Sequence, residues 1–246
     1  KSLHEGFADS DWNTHIDLNR SGVPLIEIVS EPDMRSAEEA AEFFSRLRDI
    51  LVWLGVNDGN MEEGSLRCDA NVSVRPAGRQ KFGTKAEVKN VNSFKYLQKA
   101  LENEIHRQVD LLRGGGTVRQ ETRLWDSATG RTFSMRSKEE AHDYRYFPEP
   151  DLPPLVVNSA RIDAVRATMP ELPEARRRRF VAAYGIPEYD AGVHTQSPAL
   201  ADYFEQTVAA ASNAKAASNW IMGELSRVMN ERGIGVGQSP VSPTAL

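Results

Sequence analysis

The 246-residue chain has a single cysteine, Cys68, which excludes a disulfide framework and any cysteine-rich zinc ribbon. It has no apolar run near the roughly 20 residues that a membrane span needs, and nothing in it reads as a signal peptide. A cytoplasmic protein that makes no use of the membrane is therefore expected. An excess of positive charge is also missing. Thirty Lys and Arg against 35 Asp and Glu leave a net charge of −5, which argues against holding nucleic acid by bulk electrostatics, though not against a local basic face. The short signatures of nucleotide and hydrolytic sites are absent too. Gly114-Gly115-Gly116-Thr117 lacks the lysine of a P-loop, and there is no Gly-x-Gly-x-x-Gly, no Gly-x-Ser-x-Gly and no His-Glu-x-x-His. The five histidines show no ligand spacing. Acid–base or metal work falls by elimination to carboxylates: Glu27, Glu31, Glu62, Glu63, Asp69, Glu87 and Glu121.

What is present is a set of strands with chemically distinct faces. Leu66, Cys68, Ala70, Val72 and Val74 alternate with Arg67, Asp69, Asn71, Ser73 and Arg75, the period-2 pattern of a half-buried strand. Cys68 sits on the apolar side and reads as an inert thiol. Over Thr84–Val91, Lys85, Glu87 and Lys89 alternate with Ala86 and Val88. Val118–Trp125 and Arg131–Met135 flank Asp126-Ser127-Ala128-Thr129-Gly130, a hairpin signal, with Arg119, Glu121 and Arg123 on one side of its first arm. Leu25–Val29 reads as a further strand, with Glu27 as a buried network member. Two helices accompany them. Ser36, with Glu39 three residues on, opens a helix through Ala40, Phe43, Phe44, Leu47, Ile50, Leu51 and Leu54 that Gly55 stops. Asn92 or Ser93 opens another through Phe94, Leu97, Leu101, Ile105, Leu111 and Leu112.

These elements predict an α+β layer in which both helices cover the apolar face of a sheet and the charged face stays open. Arg67, Lys85, Lys89 and Arg123 would share that surface with the carboxylates. Such a set suits a polar ligand, and Mg²⁺ with a phosphorylated substrate is chemically compatible, because hard oxygens bind Mg²⁺ and cations stabilise transferring phosphoryl charge. A plain solvated face would show the same pattern. Residues 142–155 are too rich in proline for a helix or a central strand and read as an ordered strap. Beyond about Ala164 the chain turns helical: Pro173–Tyr184, Pro187–Val193, Pro198–Ala210 and Ser212–Arg232. The expected organisation is a cradle domain over residues 1–164, a small all-α domain over 165–232, and a linker over 233–246 to a tail domain that is not here. Arg176 to Arg179 read as a solvated charge run or a phosphate contact.

Longer motifs carry a resemblance. Asp17–Asp33 (DLNRSGVPLIEIVSEPD), Gly59–Ser73 (GNMEEGSLRCDANVS), Gly83–Phe94 (GTKAEVKNVNSF), Asp143–Asp151 (DYRYFPEPD) and Ser218–Gly223 (SNWIMG) are similar to signatures of the B subunit of the aspartyl/glutamyl-tRNA amidotransferase. The resemblance implies an antiparallel-sheet catalytic domain resembling the glutamine synthetase fold, followed by the helical domain. It implies a carbon–nitrogen ligase with glutamine as amido donor, in which ATP phosphorylates the side-chain carboxylate of Glu-tRNA(Gln) or Asp-tRNA(Asn). Ammonia channelled from an amidase subunit then displaces the phosphate. The partners it implies are that amidase (A) subunit, a small C subunit and the misacylated tRNA; the cofactors are ATP and Mg²⁺.

Projected onto this chain, the resemblance makes Glu62, Glu63, Arg67, Asp69, Lys85, Glu87 and Lys89 the candidate catalytic residues. Arg20, Arg67, Lys85, Lys89 and Asn90 are candidates for holding ATP, and Glu62, Glu63 and Glu87 for metal. Family members carry a further N-terminal segment with a Glu-x-His metal-binding motif and a C-terminal tail domain, so the chain is expected to be a fragment that is inactive alone. Against each assignment stands a simpler structure. Glu62 and Glu63 can be a charged turn, Arg67 and Asp69 can pair with each other, and Lys85, Glu87 and Lys89 can form a cross-strand ion ladder. A non-catalytic scaffold that docks amidase and tRNA is the alternative function, and a stand-alone ligase for a small carboxylate is a third.

Overall fold

The computed structural model describes residues 2–3, 8–9, 12–19, 22–135 and 150–246. Two compact units are present, Lys1–Met34 and Arg35–Leu246.

In the first unit, β1 (Ser2–Leu3) pairs antiparallel with β2 (His15–Ile16). Leu25–Val29, expected as a strand with Glu27 buried, is irregular and exposed along its whole length, Glu27 included. A strand must pair its backbone groups, and neither strand described in this unit pairs with it.

The second unit begins with α1 (Ala37–Trp53). Ser36 Oγ accepts from the Glu39 amide at 3.0 Å, and the Glu39 carboxylate accepts from the Arg35 amide at 2.6 Å. The capping box therefore closes one residue earlier than its usual form. Gly55, at φ +66°, turns the chain out of the helix. The buried line of α1 is Ala37, Ala41, Phe44 and Trp53, and Phe43, expected inside, is exposed. The line departs from one stripe because α1 serves two cores: Phe44 packs with the sheet layer, Trp53 with the later helices.

The sheet runs in the order β3 (Cys68–Val72), β4 (Ala86–Val91), β5 (Thr122–Asp126), β6 (Arg131–Ser134). The expected antiparallel sheet is in fact mixed, because β4 and β5 are parallel. The cause lies in the connection. The 20-residue helix α2 (Phe94–Arg113) carries the chain back to the end at which β4 began, as parallel neighbours require. The β5–β6 hairpin is as expected: Asp126 accepts from the Ala128 amide and the Thr129 hydroxyl, both at 2.9 Å.

Beneath the sheet, α2 packs across β3, β4 and β6 and against α1. Leu97, Ala100 and Leu101 meet Val88, Val91 and Trp125 there, each large side chain contributing about 2 kcal/mol on burial. Farther along α2 the buried residues become Glu104 and Gln108, both with no exposed surface. Gln108 behaves as a surrogate peptide group: its amide donates to Val72 O at 3.1 Å and accepts from Val74 N at 3.2 Å. Beside it, a Cβ on Gly83 would lie 2.2 Å from Val74 O, so only glycine fits.

The remaining helices are α3 (Ser159–Thr168), α4 (Pro173–Tyr184), α5 (Glu188–His194), α6 (Pro198–Ala211), α7 (Ala214–Trp220) and α8 (Ser226–Arg232), the last two joined by one π-helical turn over Ile221–Leu225. Phe180, Ile186, Phe204, Ile221 and Leu225 form their core. Trp53 enters the same core and donates through Nε1 to Glu171 O at 3.1 Å. The sheet and the helices, expected over 1–164 and 165–232, thus share one unit. The 233–246 segment, expected as a linker, packs on the helices through Ile234, Val236 and Leu246, and Tyr203 donates to Val241 O at 2.9 Å. Residues 142–149 of the expected strap lie outside the described residues; Pro150–Leu155 are exposed.

Candidate functional site

Alternation along β3 and β4 places the expected side chains on the open face. Asp69 and Asn71 project from β3, and Glu87 and Lys89 from β4. The Lys89 ammonium lies 3.3 Å from Asp69 Oδ2 and 3.5 Å from Glu87 Oε1. On the next strand Thr122 Oγ1 donates to Glu87 Oε2 at 2.8 Å. Four side chains from three strands therefore form one line: Asp69, Lys89, Glu87, Thr122. Partial burial draws the Lys89 ammonium down, but Asp69 and Glu87 together outweigh it and hold it above the ordinary lysine range. Leu124 and Phe133, direct cross-strand partners, add a half-exposed apolar patch on the same face.

The line depends on an irregularity in β4. Cys68 pairs with Val91 and Ala70 with Val88, so β4 has one residue more than β3 opposite it. Asn90 takes up the extra residue at φ +64°, a left-handed conformation that Asn tolerates better than most residues. Without this bulge, strict alternation would turn Asn90 into the core and Val91 outward. The Asn90 side chain donates to Trp125 O at 3.0 Å, so it braces β5.

Arg123 was expected on the open face and is not there. It is 9% exposed and points beneath the sheet, where its guanidinium lies 3.1 Å from Glu104 and 2.5 Å from Glu121 and donates to Thr132 Oγ1 at 3.0 Å. Arg107 reaches the same Glu104 at 2.6 Å. Burial pushes the Glu104 carboxyl up, but Arg107, Gln108 and Arg123 together hold it below its ordinary range. The charged side of β5 is therefore the inner side, the reverse of the expectation. Buried cation and carboxylate neutralise each other, so each makes the other's burial tolerable.

The other expected residues surround the line without joining it. Glu62 and Glu63 are exposed on the turn before β3, where the Glu63 amide donates to Asn60 Oδ1 at 3.0 Å. Arg67 is exposed one residue ahead of β3, and Asp69 pairs with Lys89 rather than with Arg67. Lys85 is exposed just before β4, and Arg20 lies outside the described residues. Cys68 lies below the sheet, and burial pushes its thiol up to about 11, in keeping with an inert thiol. Arg176 to Arg179 form neither a free solvated run nor an open phosphate site. Arg176 pairs with Asp202 and Glu205 at 2.5 Å, Arg177 and Arg178 with Glu174 at 2.7 and 3.0 Å, and Arg179 with Glu171 at 2.7 Å and Glu205 at 2.6 Å.

Sequence reasoning passed over Thr122, Glu104 and Gln108. Thr122 was legible once Arg123 is read as inward, because alternation then turns Thr122 out. Glu104 and Gln108 sit one helical turn apart on the buried side of α2, a break in an apolar stripe that marks a buried network.

No group of three or more His, Cys, Asp or Glu side chains that could hold a metal ion occurs among the described residues. Asp69 and Glu87 suit a Mg²⁺ that takes one or two carboxylates and completes its shell with phosphate oxygens and water. They do not suit a cation held by the protein alone. An open groove of about 600 Å³ between the first turns of α1 and α2, lined by Glu38, Glu39, Glu42, Phe94, Lys95 and Gln98, holds none of the expected site residues.

The structure is thus an α+β layer whose open sheet face carries an ordered line of fixed charges. The family model described as the GatB/GatE catalytic domain matches residues 1–163, and one described as the GatB domain matches 202–246; the chain belongs to this family. Among curated relatives, the B subunit of the aspartyl/glutamyl-tRNA(Asn/Gln) amidotransferase of Syntrophotalea carbinolica is 55% identical over 246 residues, 100% of this chain and 51% of that protein. Its counterpart in Bordetella pertussis is 57% identical over 250 residues, all of this chain and 52% of that protein. The counterpart in Chlorobium limicola is 54% identical, again over the whole of this chain. The chain thus spans about half the length of the relatives it matches.

Proposed function

We propose that this chain is part of the B subunit of a tRNA-dependent amidotransferase, and that its open sheet face belongs to the site where the side-chain carboxylate of Glu-tRNA(Gln) or Asp-tRNA(Asn) is activated. The observation that carries this reading is the Asp69, Lys89, Glu87 line, which sets a cation between two carboxylates on a sheet face. A carboxylate resists amidation because oxide is a poor leaving group. Transfer of the γ-phosphoryl group of ATP to the carboxylate oxygen releases ADP and makes the acyl carbon electrophilic. Ammonia from the amidase subunit then adds, phosphate leaves, and Gln-tRNA or Asn-tRNA results.

Asp69 and Glu87 would hold Mg²⁺, which supplies charge neutralisation between phosphate oxygens when bound. Lys89 gives up one of its two carboxylate partners to meet the phosphate, and Arg67 and Lys85 border the same face. Glu62 and Glu63, exposed on the turn before β3, would serve the metal or the arriving ammonia. A cradle of the glutamine synthetase kind, a small C subunit and a cytoplasmic location belong to the same proposal. Among the described residues no helix is long and apolar enough to cross a membrane.

The test is ADP release by the full-length protein, assembled with its partner subunits and supplied with ammonia, with and without misacylated Glu-tRNA(Gln). Wild type should respond to the tRNA, and Glu87→Gln should lose at least about a hundredfold, the scale expected when a group that stabilises phosphoryl charge is removed. A Glu63→Gln complex run beside it reports on the turn. No stimulation in wild type, with tRNA bound and the assembly intact, would leave the chain a docking scaffold.

A further inference from the structure

We infer that Thr122 is a positioning residue of this site, which fixes the Glu87 carboxylate so that Lys89 stays available to an anionic ligand. The inference rests on the reading of the open sheet face given above and extends it to a residue with no ionisable group. Three observations carry it. Thr122 Oγ1 donates to Glu87 Oε2 at 2.8 Å, and the two residues face each other across the parallel β4–β5 join. The backbone holds that register, because the Glu87 amide donates to Glu121 O at 2.9 Å. The residue after Thr122 is Arg123, anchored beneath the sheet by Glu104, Glu121 and Thr132. Thr122 is thus pinned from both sides and points its hydroxyl at one carboxylate oxygen.

The effect falls on Lys89. Glu87 gives Oε2 to Thr122 and meets Lys89 through Oε1 at 3.5 Å, longer than the 3.3 Å from Lys89 to Asp69. A carboxylate free of Thr122 can turn about its last torsion and close on the ammonium with a tighter, charge-assisted contact. Lys89, already set between Asp69 and Glu87, would then be held more tightly, and an incoming phosphate would have to break a stronger pair. A hydroxyl that takes up one oxygen keeps that pair loose. Valine has the same branched shape and β preference as threonine, so removing the hydroxyl leaves the strand intact.

The experiment uses the full-length protein assembled with its partners and three variants: Thr122→Val, Thr122→Ser and Glu87→Gln. Binding of Mg²⁺ with a non-hydrolysable ATP analogue is measured by calorimetry, and kcat and KM for ATP by tRNA-stimulated ADP release. Thr122→Val is expected to weaken analogue binding about tenfold, the scale of one lost hydrogen bond to a charged group. KM for ATP should rise by a similar factor while kcat changes less than about threefold, and Thr122→Ser should restore both. Loss of a merely structural threonine would lower kcat and melting temperature with KM for ATP unchanged, without rescue by serine, and that result overturns the inference. Thr122→Val equal to wild type, with Glu87→Gln inactive, overturns it while leaving the site reading in place. Glu87→Gln equal to wild type removes the site reading and the inference with it.

Discussion

His194 has no exposed surface and lies stacked on Phe204, with ring centroids 4.2 Å apart. Its Nε2 is 2.9 Å from Ser218 Oγ, whose hydroxyl reaches Asp190 at 3.1 Å, and Lys215 pairs with Asp190 at 2.8 Å. Because Ser218 donates to the carboxylate, its oxygen accepts from His194, which leaves Nδ1 as a bare acceptor with no partner among the described residues. A proton there would be a buried donor with nothing to bond. Burial lowers this histidine to about 4 from 6.5, and the charge of Asp190 offsets only part of the effect. The linkage has a definite sign. The unfolded chain takes up the proton near pH 6.5 and the folded chain only near pH 4, so stability is full above the upper value and falls between them. The loss approaches about 3 kcal/mol at the acid end. Glu205, held down at about 2, chiefly by Arg179, adds its own loss only below the ordinary carboxylate range. Urea midpoints followed from pH 7 to pH 4 should fall in wild type and stay nearly level in His194→Gln. Parallel slopes in the two proteins would show that another group titrates.

At the scale of the element, the bulge in β4 separates two meanings of Asn90. As a brace it needs the left-handed backbone and the bond to Trp125 O; as an ATP contact it needs only its amide. Asn90→Gly keeps the backbone free and loses one hydrogen bond, so a destabilisation of about 1 kcal/mol is expected. Asn90→Val adds the strain of a branched residue at φ +64° and should cost about 2 kcal/mol more. Equal costs for the two, measured by thermal melting, would mean that the bulge relaxes. The bulge was not legible in the sequence, because alternation over Thr84–Val91 gives no cue that one residue is skipped. What was legible is what local chemistry decides: the Ser36 and Ser93 caps, the Asp126–Gly130 turn, and the two faces of β3. What was not legible depends on neighbours. Arg123 reads as outward until Glu104 is known to wait beneath it. Leu25–Val29 reads as a strand until no described strand pairs with it. The ten residues of α3, none buried, carry too weak a stripe to separate them from a loop. For the candidate site, Asp69, Glu87 and Lys89 follow from period-2 reading, whereas Thr122 follows only from the parallel join.

At the scale of the molecule, Arg176 ties the sheet layer to the helices. Its guanidinium sits 5.9 Å from the Trp53 ring and 5.6 Å from that of Phe180 while it pairs with Asp202 and Glu205. Arg176→Leu keeps the volume and removes the tie. Glu205 retains Arg179 and Tyr184, so a loss of about 2 kcal/mol is expected rather than the larger value for a stranded charge. Tryptophan fluorescence and far-ultraviolet circular dichroism should then give separate urea midpoints where wild type gives coincident ones for the Arg35–Leu246 unit, the sign of lost cooperativity. Coincident midpoints would place the coupling elsewhere, in Trp53 itself. The parallel β4–β5 join has a kinetic consequence of its own. β4 ends at Val91 and β5 begins at Thr122, so no hairpin can zip these strands together, and the intervening segment must fold over the sheet before they meet. Closing so long a loop is slow compared with forming a turn. The line of charges across Asp69, Lys89, Glu87 and Thr122 is therefore expected to be completed late in folding, so that a chain caught before that moment would have its helices but not its site.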